Sequence, residues 1–93
     1  MKLREVTEED VVGFGRIEEE DRRLIPAILS AARSYVLGYT GLSLEETDPY
    51  EDITLACLVL CCEMYDNRNL TVENEKVNPY IKSVLAMHAV NYL

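Results

Sequence analysis

The stretch from Asp52 to Arg68, DITLACLVLCCEMYDNR, limits the possible folds more than any other part of the chain. Ile53 to Cys62 is an unbroken run of ten uncharged residues. A bilayer-spanning helix needs about twenty, so this run is too short to cross a membrane. A helix that is apolar nearly all round is normally covered by its neighbours. The expectation is a helical bundle with a central buried helix reaching from about Pro49 to Asn67.

The flanking sequence supplies neighbours for it. Thr7-Glu8-Glu9-Asp10 reads as a capped, acidic helix start. Val11, Val12 and Phe14 follow, and Gly13 and Gly15 keep that helix short. Glu18 to Asp21 reads as a loop with an N-cap at or near Asp21. Leu24, Ile25, Ile28, Leu29, Ala31, Ala32, Tyr35, Val36 and Tyr39 then recur at three- and four-residue steps, the face of an amphipathic helix. Pro26 sits slightly too deep for a start at Asp21, so an irregular first turn is expected. Gly38 or Gly41 supplies the stop. Residues 42–48 form a polar connection. Asp48-Pro49-Tyr50-Glu51 reads as a cap followed by proline at the first helical position. After a polar loop to Val77, Asn78-Pro79 repeats that pattern. Tyr80, Ile81, Val84, Leu85, His88, Ala89 and Tyr92 predict a last helix reaching the C-terminus. The fold class is all-α: a small bundle of one short and three longer helices, in a single domain over residues 1–93.

Such a chain buries only about 60–65% of its unfolded surface. Its core is thin, and association would strengthen it. Nine basic against seventeen acidic residues give a net charge of −8. That field repels phosphates, which argues against sequence-specific nucleic-acid binding. The three cysteines lie within six residues and form no disulfide framework. The N-terminus has no apolar signal core, so export by a signal peptide is not expected.

Cys57 and Cys61 are one turn apart, and His88 on the last helix is a conceivable third ligand. Paired Cys-x-x-Cys spacing is missing and zinc usually wants four ligands, so buried core thiols are the better reading. His88 has no nucleophile or paired acid marked beside it, and no phosphate-binding glycine loop is present. No enzyme, no metal and no cofactor are expected. Tyrosine is unusually frequent: six, against one Phe and no Trp. Tyr35, Tyr39, Tyr65, Tyr80 and Tyr92 fall near helix ends or faces. They either rim the core or sit between subunits, since tyrosine is enriched at interfaces.

Several pieces together resemble a known family. VTEEDVVGFGRIEEEDRRLIPAILSAARSYVLGYTGL, with its Arg16-Ile17 step, is similar to the opening of the small head–tail connector (head-completion, adaptor) proteins of tailed bacteriophages and prophages. Met64-Tyr65-Asp66-Asn67-Arg68 resembles their Tyr-Asp/Glu-Asn-Arg motif. Val77-Asn78-Pro79 and the Leu-x-Met-His segment resemble their ending. The resemblance implies a virion protein, present in the bacterial host cytoplasm during assembly and then at the head–tail junction. It implies a ring beneath the portal that joins the DNA-filled head to the stopper or tail and lets the genome pass. Its partners would be further copies of itself, the portal protein and a stopper or tail protein, with no membrane. A carboxylate-lined channel would let DNA slide, and the loop Asn69–Val77, with Glu73, Glu75 and Lys76, is expected to face it. Tyr39, Tyr65, Arg68, Tyr80 and Tyr92 are the candidate contacts between subunits or with partners. Arg68 alternatively stabilises the end of its own helix. Relatives often continue past the last helix and grip the portal with that extension; this chain ends at Leu93, which sets such gripping apart from the other expectations. The reading from another class is an acidic helical adaptor or regulatory module with no virion role.

Overall fold

The computed structural model describes residues 1–67 and 77–90. A 3-10 turn, Leu3–Glu5, precedes four α-helices: α1 Glu8–Gly15, α2 Ile25–Thr40, α3 Glu51–Asn67 and α4 Pro79–His88. Among the described residues there is no strand. The protein is an all-α bundle of one short and three longer helices, as its periodicity predicts.

α3 is the central rod. α1, α2, α4 and the N-terminal turn all pack on it. Ile53, Ala56, Cys57, Leu60, Cys61 and Met64 from α3 meet Val11 from α1, Ile25, Ile28, Ala32 and Val36 from α2, and Ile81 and Leu85 from α4. These side chains are nearly all sealed from water. Arg33 reaches from α2 to donate to the carbonyl oxygens of Leu3 (3.3 Å) and Val6, fixing the N-terminal segment to the bundle.

α1 starts as predicted. Asp10 N–H donates to Thr7 Oγ1 at 3.2 Å, and Thr7 N–H donates to Asp10 Oδ2 at 2.8 Å, a reciprocal cap. The helix ends on Arg16 in the left-handed region, φ 51°. The Arg16-Ile17 step is thereby a turn: Arg16 stays exposed and Ile17 folds into the core. Gly15 permits a close approach, because a Cβ there would lie 2.9 Å from Cys62 Sγ on α3.

Three boundaries differ from expectation. Asp21 does not cap α2; it lies inside a 3-10 segment, Glu19–Leu24, and α2 begins at Ile25 with Pro26 at its second residue. The expected irregular first turn is that 3-10 segment, which leaves proline where its missing N–H costs nothing. Gly41, with φ 74°, is the stop, and Gly38 lies within the helix. Asp48 does not cap α3 either, and Pro49 is not its first residue: α3 begins two residues later, at Glu51. Asp48 closes a 3-10 turn, Glu45–Thr47, in helical φ/ψ, and turns its carboxylate to Arg4 (3.0 Å) and Lys2 (3.9 Å). The buried Thr47 holds that turn by donating to the Leu44 carbonyl at 2.6 Å. α4 opens on Asn78, whose side chain accepts from Tyr80 N–H at 2.8 Å. It stops at His88 instead of running on: Ala89 is extended, and Val90 N–H donates to the Thr40 carbonyl at the end of α2 at 2.7 Å.

Candidate protein-interaction faces

α4 runs antiparallel to α3. Asn78 Nδ2 at its start donates to Glu63 Oε1 at 2.8 Å, and His88 at its end lies on Asp52, with Nε2 at 2.8 and 3.0 Å from the two carboxylate oxygens. The geometry suits donation from an Nε2–H of the imidazole to the carboxylate. The imidazole also stacks on the Tyr50 ring, centroids 4.2 Å apart. His88 therefore latches α4 to the first turn of α3. It does not turn to the sulfurs: Cys57 and Cys61 lie five and nine residues further on, roughly 7 and 13 Å along the helix axis. Among the described residues no three His, Cys, Asp or Glu side chains are grouped to hold a metal ion. No helix of the described residues is long and apolar enough to cross a membrane.

The sulfurs belong to the packing. Cys57 and Cys61 are buried. Contact with Cys57 and then burial push the Cys61 thiol far above its ordinary range. Burial, with help from Cys61, Asp66 and Glu63, pushes Cys62 up to about 11. At neutral pH Cys61 and Cys62 are neutral thiols, whereas nucleophilic cysteine chemistry and metal binding use the thiolate.

Among the described residues, two outward faces combine exposed apolar side chains with little charge. The inner face of α4 is Ile81, Val84 and Leu85. Its outer face is Pro79, Tyr80, Ser83, Ala86 and Met87, with no charged residue. Tyr80 is 44% and Met87 74% exposed. Lys82, half-buried at the edge, is the only Lys or Arg on α4, which has no acid at all. The second face is a strip of α3 at three- and four-residue steps: Leu55 is exposed, Leu58 and Val59 are half-buried against the core, and Cys62 is partly covered by Gly15 of α1. Leu55 is 42% exposed, and with Leu58, Thr54 and Met1 it lines a shallow hollow whose rim holds Glu51 and Asp52. Glu51 and Asp66, both exposed, end the strip. Asp52 and Glu63, which α4 grips, lie about a quarter turn round α3 from this strip. The two faces therefore point in different directions. α2 also has an uncharged outer face, but it carries only small side chains: Pro26, Ala27, Ser30, Ser34 and Gly38.

The predicted contact residues are dispersed over the bundle. Tyr39 is half-buried on α2 beside Tyr35, ring centroids 5.9 Å apart. Burial and Tyr39 raise the Tyr35 hydroxyl above its ordinary value. Tyr65 is half-buried at the end of α3, and its hydroxyl donates to Asp21 Oδ2 at 2.5 Å. The Asp21 read as a cap is thus a tie between the 3-10 segment and α3. Tyr80 stands on the outer face of α4. Arg68, Glu73, Glu75, Lys76 and Tyr92 lie outside the described residues. Met87 and Leu55 were missed from sequence. The spacing 80, 83, 87 marks a second face of α4, but the same helix carries a stronger apolar face at Ile81, Val84 and Leu85. Leu55 lay hidden in a run expected to be wholly covered.

No family model, no curated protein and no solved structure matches the chain.

Proposed function

We propose that this chain is a structural subunit of a tailed bacteriophage or prophage, one of a ring of identical copies beneath the portal. The ring joins the DNA-filled head to the stopper or tail and passes the genome without catalysis, cofactor or membrane. Its place is the host cytoplasm during assembly and the head–tail junction in the virion. Two lines support this reading: the order and spacing of the Arg16-Ile17, Tyr65-Asp66-Asn67-Arg68 and Asn78-Pro79 elements, and the two outward apolar faces. The faces carry it. A ring needs head-to-tail contacts between two different surfaces of one chain, and this chain offers two that diverge. The net charge of −8 suits a wall past which DNA must slide, with Glu73 and Glu75 as the proposed lining.

The test is sedimentation and negative-stain imaging of the purified chain, alone and mixed with the portal protein of the same genome. Closed rings of one size, free or seated on the portal, are the expected result. A monomer that ignores the portal overturns the reading. One observation favours a second reading: the α3 strip, acidic at both ends, also suits a basic amphipathic helix of another protein. Such an adaptor would form a one-to-one complex and no ring.

A further inference from the structure

We infer that the contact between neighbouring copies joins the outer face of α4 on one subunit to the α3 strip on the next. This deepens the ring reading and rests on it, by naming which surfaces meet.

Charge decides the pairing. Two copies of the α3 strip meet poorly in parallel, because that pairing sets the exposed Asp66 on itself. Glu51 at the other end already pairs with the N-terminal ammonium at 3.4 Å, so Asp66 carries the charge argument. The strip needs a partner without acids, and α4 has none, while Lys82 sits at its edge. The outer face of α2 is equally free of acid, but its two serines and small side chains offer a flexible apolar knob little to cover.

Shape agrees with charge. On α4, Tyr80 and Met87 protrude on either side of the small Ser83 and Ala86. The α3 strip has a hollow beside Leu55 and Leu58. An unbranched methionine adapts to such a hollow better than a branched side chain, and the Leu55 ridge fits the low saddle at Ser83. Pairing α4 with α4 would leave the leucine strip of every subunit wet. Pairing α4 with α3 covers both faces of each subunit with one contact, which repeats from copy to copy.

Disulfide trapping tests this, in a Cys62→Ser background so that the half-buried native thiol takes no part. Chains carrying Leu55→Cys and chains carrying Met87→Cys are prepared separately, then mixed under mild oxidation. The expected product is a dimer containing one chain of each kind, with little dimer from either alone. A chain carrying both changes should give a ladder of dimers, trimers and larger species. Efficient dimers from Met87→Cys alone would assign α4 to itself and overturn the inference. So would the absence of any cross-link at concentrations where the protein sediments as an oligomer; in that case the ring reading stands and the seam lies elsewhere. Met87→Glu, at an exposed position that leaves folding intact, should weaken self-association at least tenfold. Unchanged association in that variant also overturns the assignment. A chain that is monomeric in every condition, portal included, removes the ring reading itself.

Discussion

The α1 end of the molecule and the outer sides of α3 and α4 are built on different rules. Around α1, charge is abundant and internally matched. Thr7 and Asp10 cap each other, Arg22 pairs with Glu9, and Asp21 receives the Tyr65 hydroxyl. The outer face of α4 has no charge and the α3 strip has it only at its two ends, Glu51 and Asp66, while Met87, Tyr80 and Leu55 lie in water. Contiguous exposed apolar patches mark interaction surfaces more often than scattered single side chains do. The first region ties part of its charge within the chain, although Phe14 is 47% exposed; the second leaves apolar surface in water with little charge beside it.

That contrast can be broken most forcefully within α4 alone. Ile81 is fully buried and Met87 is the most exposed large hydrophobic of the described residues. Ile81→Ala should cost about 2–5 kcal/mol of stability, measured by chemical denaturation of dilute protein. Met87→Ala should stay within about 0.5 kcal/mol. A large loss at Met87 would mean that the outer face is held inside the fold and awaits no partner.

A smaller effect sharpens the picture of the α1 end. Gly15→Ala drives a methyl group against Cys62 Sγ and should cost about 1–3 kcal/mol, with Cys62→Ala restoring much of it. Gly13→Ala, two residues earlier, meets nothing within 4 Å and should stabilise the helix by about 0.5–1 kcal/mol. Opposite signs from neighbouring glycines would establish how closely α1 abuts α3.

Arg16 is the one described non-glycine residue with positive φ. Arg16→Gly relieves a left-handed conformation and should raise stability by about 1 kcal/mol. If the exposed guanidinium serves assembly, the stabilised variant should associate more weakly, a loss that calorimetry and sedimentation together would reveal.

The smallest expected effect is alkaline. The Cys62 thiol stays neutral in the folded chain up to about pH 11, against an ordinary value of 9.0. A folded value above the unfolded one gives stability that is complete below the unfolded value and lost as pH rises to the folded one. The melting temperature should therefore drift down between about pH 9 and 11, and less steeply in Cys62→Ala. Solvent reaches Cys62, which keeps the effect modest.

How much of this was legible without coordinates follows from where each interaction lies in the chain. The Thr7 and Asn78 caps, the prolines at the starts of α2 and α4 and the Gly41 stop were readable because each partner is within a few residues; Pro49, by contrast, precedes α3 by two residues. Asp21 and Asp48 were misread for the opposite reason. Both have the side chain a cap requires, but Tyr65 and the Arg4–Lys2 pair claim them from distant parts of the sequence. The end of α4 was overrun because nothing local announces that Val90 will bond to Thr40.

By itself, then, the sequence determined the helical class, the central position of α3 and the acidity of the whole. Only the tertiary structure decided which flank of α3 stays open, where His88 turns and which apolar side chains are left over. Helical periodicity is a property of backbone hydrogen bonds four residues apart and shows in any short window. Burial depends on what arrives from elsewhere, and three helices packed round one rod leave a side that no local pattern could mark.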